Sequence, residues 1–95
     1  MWARVASFEG ADIERMREQA TRSPDQMPEG LRGAFGLADA ASGRQLFITL
    51  FDTREAIEAA ESTFEQMGDE VPEEVRGRRV SKEYYEVMLG VVQLT

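Results

Sequence analysis

The 95-residue chain is long enough for one domain, 1–95, with a modest core. At 42% hydrophobic and 31% charged it has a globular composition, and its net charge of −7 disfavours phosphate backbones and anionic membrane surfaces as partners. It has no Cys, His or Asn, which excludes disulfides, thiolate chemistry and imidazole ligation.

The acid is unevenly placed: residues 1–51 sum to −1 and residues 52–95 to −6. A solubilising surface explains this. The lack of cysteine fits a reducing cytoplasm. Arg4, Glu9 and Asp12 interrupt the start before a signal-peptide apolar region can form, so no leader is expected. No window approaches the roughly 18 apolar residues of a membrane span.

In chain order, Trp2–Glu9 reads as a first strand ended by Gly10. Asp12 is placed to cap a helix over 12–22, whose stripe is Ile13, Met16 and Ala20. Ser23-Pro24 stops it, because the residue before proline avoids the α region. A loop over 23–30 leads to a glycine-bearing strand over 31–38. Asp39 to Gly43 is a hairpin connection.

Residues 44–51 are the clearest strand. Leu46, Ile48 and Leu50 alternate with Phe47, Thr49 and Phe51, so both faces need cover. A helix starts at Asp52, with acid at the cap and Glu55 three residues on, and runs to about Met67, with Gly68 after it. Ile57, Ala60, Phe64 and Met67 form its inner stripe; Glu55, Glu58, Glu61 and Glu65 form an acidic face expected to be solvated rather than to bind metal. Residues 69–78 read as a polar loop or short helical turn, and 79–89 as a long last strand. The apolar tail 91–94 is expected to extend it toward a partner.

The order βαββαβ predicts a ferredoxin-like α+β fold: a four-stranded antiparallel sheet with two helices on one face. The other face then carries Leu46, Ile48 and Leu50. A second copy of the chain is the expected cover, giving a homodimer.

Phe47, Phe51, Phe64 and Tyr84, with Phe35, are candidates to line a cavity between sheet and helices for a small apolar molecule; they equally suit a core. Small residues at Gly33, Gly36, Ala56, Ala59 and Ala60 would leave room. Arg4, pointing inward, would hold an anion or enolate oxygen. Pointing outward, it would pair with Glu83 or Glu86, which is the expected arrangement because a buried unpaired arginine is costly. Tyr84 and Tyr85 face opposite ways, so at most one serves a pocket. Gly33 to Gly36 is no phosphate loop, lacking a following Lys and helix. No metal and no cofactor are expected.

Met1 to Glu9, Met27-Pro28-Glu29-Gly30-Leu31-Arg32-Gly33, Asp39 to Asp52, and Arg79-Val80-Ser81 through Tyr84-Tyr85-Glu86-Val87 resemble segments of dimeric α/β-barrel proteins of the antibiotic-biosynthesis-monooxygenase-like superfamily. The resemblance spans nearly the whole chain and implies a dimeric α/β barrel. Haem-degrading members carry a Trp, a His and an Asn; here Phe51 falls at the Trp position, Glu61 near the His position, and no Asn exists. Haem chemistry is therefore not expected. Quinone-forming members carry Trp, Arg and Tyr, types supplied here by Trp2, Arg4, Tyr84 and Tyr85. The resemblance thus implies, as an alternative to a ligand-binding dimer of unassigned activity, a cofactor-independent monooxygenase acting on a polycyclic phenol.

Overall fold

A computed structural model describes residues 1–20 and 28–90 of the chain. Strand β1 spans Trp2–Glu9, helix α1 Ile13–Ala20, β2 Leu31–Asp39, β3 Arg44–Phe51, α2 Arg54–Asp69, α3 Glu73–Arg76 and β4 Arg78–Glu86. The stop at Ser23-Pro24 and the extension by 91–94 lie outside the described residues.

The four strands form one antiparallel sheet in the order β2-β3-β1-β4. This α+β arrangement is compatible with a ferredoxin-like fold. Chain-adjacent β2 and β3 form a hairpin, whereas β1 reaches both its neighbours only through long connections. Asp39 shapes the hairpin turn: its carboxylate accepts from the Ala41 amide at 3.1 Å, and Gly43 takes a φ of 71°.

Local chemistry sets the helix ends. Asp12 caps α1, its carboxylate accepting from the Arg15 amide at 3.2 Å. Helix α2 is capped by Thr53 instead of Asp52: the Thr53 hydroxyl accepts from the Ala56 amide at 3.1 Å. Gly68 does not end α2, which runs on to Asp69 and closes with Glu70 still in the right-handed region. Without a positive-φ residue there, nothing forces the chain out of the helix at Gly68. Strand β4 begins one residue earlier and stops three residues sooner than expected, after which the Val87 amide donates to the Met1 carbonyl at 2.8 Å.

The pairing register assigns the faces. Phe51, Thr49, Phe47 and Gln45 share one face with Trp2, Arg4, Ala6 and Phe8, and with Tyr84 and Lys82 of β4. Helix α2 packs here. Phe51 and Ile57 are wholly buried and Ala60 nearly so, with Trp2, Leu31, Ala56, Phe64 and Tyr84 packed around them. Full burial of Phe51 and Ile57 stabilises the fold by about 1.5–3 kcal/mol each. Helix α3 joins the same side: Gln45 Nε2 donates to the Arg76 carbonyl at 2.7 Å.

The opposite face receives neither α2 nor α3. In register across it lie Phe35–Ile48–Val5–Glu83, Gly33–Leu50–Ala3–Tyr85 and Leu37–Leu46–Ser7–Ser81. Leu37 and Tyr85 are about half exposed. No helix among the described residues is long and apolar enough to cross a membrane.

Candidate functional site

Arg4 lies in β1 between Thr49 of β3 and Tyr84 of β4, on the side covered by α2. The expected outward pairing with Glu83 or Glu86 does not occur. Arg4 points into the helix layer, is 6% exposed, and meets Glu61 of α2. Arg4 Nε donates to Glu61 Oε1 at 2.6 Å and its Nη2 to Oε2 at 3.5 Å. The guanidinium also lies 4.3 Å from the centre of the Phe64 ring. An arginine can be buried here because its charge is compensated and its plane has an aromatic face to rest on.

Glu61 is therefore not part of a solvated acidic face. It lies one turn after Ile57 and three residues before Phe64, at the margin of the buried stripe. Its second oxygen accepts from Lys82 Nζ at 2.9 Å. Burial alone would raise the Glu61 carboxyl, but hydrogen bonds from Arg4 and Lys82 outweigh it and hold the group below the ordinary carboxylate range. Glu61 is thus a stable anion and a poor base near neutral pH. Lys82, the only lysine of the chain, is a second cation on the same carboxylate.

Tyr84 completes the cluster. Burial, and then the Glu61 carboxylate beside it, push the phenol above its usual value of 10.0, so it stays protonated and can donate a hydrogen bond. The Arg54 guanidinium lies 5.5 Å from the Tyr84 ring centre and 5.9 Å from that of Trp2. Phe51 and Phe64 meet edge to face at 6.1 Å. Among the described residues one buried side-chain group is unsatisfied: the Thr49 hydroxyl, in register with Arg4, has no hydrogen-bond partner.

The expected lining residues are only partly brought together. Phe51, Phe64 and Tyr84 converge with Arg4. Phe47 shares their face but packs edge to face on Phe8 at 5.8 Å, toward the other end of the sheet. Phe35 is on the open face, in register with Ile48, and cannot share a cavity with Phe51. The proposed small-residue lining divides likewise: Gly33 pairs with Leu50 on the open face and Gly36 with Phe47 on the helix side. Two hollows at the surface of the described residues, one bordered by Glu9, Gly10, Pro72 and Gly77 and one by Leu37, Asp39, Arg44 and Leu46, do not touch Phe51, Phe64 or Tyr84.

The sequence reading missed Glu61, Lys82, Arg54 and Thr49. Strand parity carries a signal for two of them: Lys82 is two residues from Tyr84, and Thr49 is two from Phe51. No group of acidic side chains among the described residues is arranged to hold a metal ion. The chain matches no family model, and no curated protein matches it.

Proposed function

We propose that the protein works as a homodimeric α/β-barrel module, two copies meeting through their open sheet faces, with a small apolar molecule as the ligand that would enter between sheet and helices on the other side. The observation that carries this reading is the open face itself: Phe35, Leu37, Leu46, Ile48, Leu50 and Val5 lie on it together. Soluble monomers rarely leave so continuous an apolar patch bare. Strands of eight residues at about 3.3 Å per residue, in four ranks about 4.8 Å apart, give a footprint of about 500 Å² in projection. Side-chain relief enlarges this toward the roughly 800 Å² that each partner of a stable pair buries. The dimeric superfamily that the sequence resembles agrees with this reading.

A second reading, a cofactor-independent monooxygenase on a polycyclic phenol, is favoured by one observation. Arg4 and Tyr84 are direct cross-strand neighbours on the helix side, beside Trp2 and Phe64. A protonated phenol next to a guanidinium is suited to polarising a substrate oxygen.

Light scattering at micromolar concentration tests the dimer. It should give about twice the 10.7 kDa chain mass, and Ile48→Glu should give one chain mass with unchanged circular dichroism. A wild-type monomer peak would overturn the reading. Titration with 2-naphthol tests the ligand. The side-chain resonances of Phe51, Phe64 and Tyr84 should shift together, and shifts confined to other residues would remove the helix-side site.

A further inference from the structure

Two arginines lie over aromatic rings on the helix side, and they are held very differently. Arg4 is 4.3 Å from the Phe64 ring centre, meets Glu61 at 2.6 Å and has a side chain 7% exposed. Arg54, in the first turn of α2, is 5.5 Å from the Tyr84 ring centre and 5.9 Å from that of Trp2. Its ion pair with Glu58, one turn on, spans 3.4 Å, and both side chains are 56% exposed. A cation is drawn to an aromatic face within about 6 Å, most strongly when it is desolvated against the ring. Arg54 thus reaches two rings at once from the outer limit of that range and stacks on neither.

The rings do not depend on Arg54 for their placement. Trp2 and Tyr84 pack against the Phe51–Ile57–Ala60 core, and their strands are paired, with Trp2 opposite Glu86 and Tyr84 opposite Arg4. Glu86 therefore shares their face. Lys82 Nζ lies 6.0 Å from the Tyr84 ring centre, but Glu61 holds it at 2.9 Å. With Arg54 swung out, the carboxylates Glu58, Glu61 and Glu86 at this corner outnumber the cations Arg4 and Lys82. The wider field has the same sign, since residues 52–95, which include α2 and β4, sum to −6.

We propose that Trp2, Tyr84 and Glu58 form a binding site for a methylated ammonium group, which the Arg54 guanidinium occupies in this structure and vacates when the ligand enters. A quaternary ammonium makes no hydrogen bonds, so two ring faces and a carboxylate are the partners it requires. Glu58 passes from one cation to the other, and no charge is left uncompensated. The site takes a charged group at the margin of α2 and stands whether or not two copies of the chain pair or an apolar molecule enters beneath the helix.

Trp2 is the only tryptophan, so its fluorescence reads the site directly. Choline chloride, titrated to about 100 mM against sodium chloride at constant ionic strength, should shift the Trp2 emission saturably. Its isostere 3,3-dimethyl-1-butanol, which has the same shape and no charge, should not. Arg54→Ala removes the resident cation and should lower the choline dissociation constant by about threefold or more. Tyr84→Leu, with its folding verified by circular dichroism, should raise it by about as much. An equal response to the alcohol would mean an apolar slot and would overturn the cation site. Unchanged or weaker affinity in Arg54→Ala would show that Arg54 is not the competing occupant, and unchanged affinity in folded Tyr84→Leu would remove the ring from the site. No saturable response in either the wild type or Arg54→Ala would remove the site altogether.

Discussion

Arg4 of the first strand and Glu61 of the second helix, 57 residues apart in sequence, meet at 2.6 Å with side chains 7% and 19% exposed. Neither charge is stable alone in that setting, because an uncompensated buried ion loses its hydration. Glu61→Leu should therefore destabilise the fold by about 2–3 kcal/mol, since Arg4 remains as a bare cation. Arg4→Met paired with Glu61→Leu should recover part of that loss, with a coupling energy of about 1–2 kcal/mol in a denaturant double-mutant cycle. Additive losses would mean that the pair contributes no mutual stabilisation.

Acid should unfold the protein through the same carboxylate. The folded-state value of Glu61 lies below its ordinary 4.5, and that of Glu65 is lowered by its bond from Arg79. A group lowered by folding contributes stability that is present above the unfolded value and lost as pH falls through the folded one. Chemical denaturation should thus give a flat stability between pH 7 and about 5.5 and a decline below about pH 4.5. Glu61→Gln should show a shallower decline over that range.

Thr49→Val should raise the melting temperature. The buried hydroxyl has no partner, so the fold bears its desolvation without a compensating bond. Valine has nearly the same shape and no hydroxyl. The expected gain is about 1 kcal/mol, read by thermal denaturation. A loss of stability would point to a water held by that hydroxyl.

Gly77→Ala should be among the most damaging single-methyl changes. Gly77 has a φ of 81°, and a methyl there would lie 2.3 Å from the Glu9 carbonyl oxygen and 2.8 Å from the Ala11 nitrogen. Both atoms are backbone and cannot step aside. The expected cost is about 2–4 kcal/mol, measured by urea denaturation, against a loss below about 1 kcal/mol for Gly68→Ala, where a methyl meets nothing within 4 Å.

The strand order and helix placement were legible because alternation and capping are local signals. Leu46, Ile48 and Leu50 separate from Phe47, Thr49 and Phe51 by parity alone, and the register keeps that separation. Phe35 was misplaced because the register of β2 shifts between Leu31 and Gly33: Leu31 pairs with Phe51 on the helix side, and the extra residue sends Phe35 to the other face. Nothing in the residue types announces that shift. The direction of Arg4 was legible in principle, since it alternates in step with Trp2, Ala6 and Phe8. Burial of its charge becomes tolerable only with Glu61, whose place among Glu55, Glu58 and Glu65 gives no sign in the sequence that it turns inward.

The sheet order also determines when the fold can come together. Strand β1 is synthesised first but lies inside the sheet, between β3 and β4. Neither neighbour exists until residues 44–51 and 78–86 have been made. During synthesis Trp2, Val5 and Phe8 of β1 therefore precede by more than 30 residues the first strand that can pair with them. The second edge of β1 is covered only when the last described strand arrives. No part of the described chain that ends before β4 can therefore pair both edges of β1.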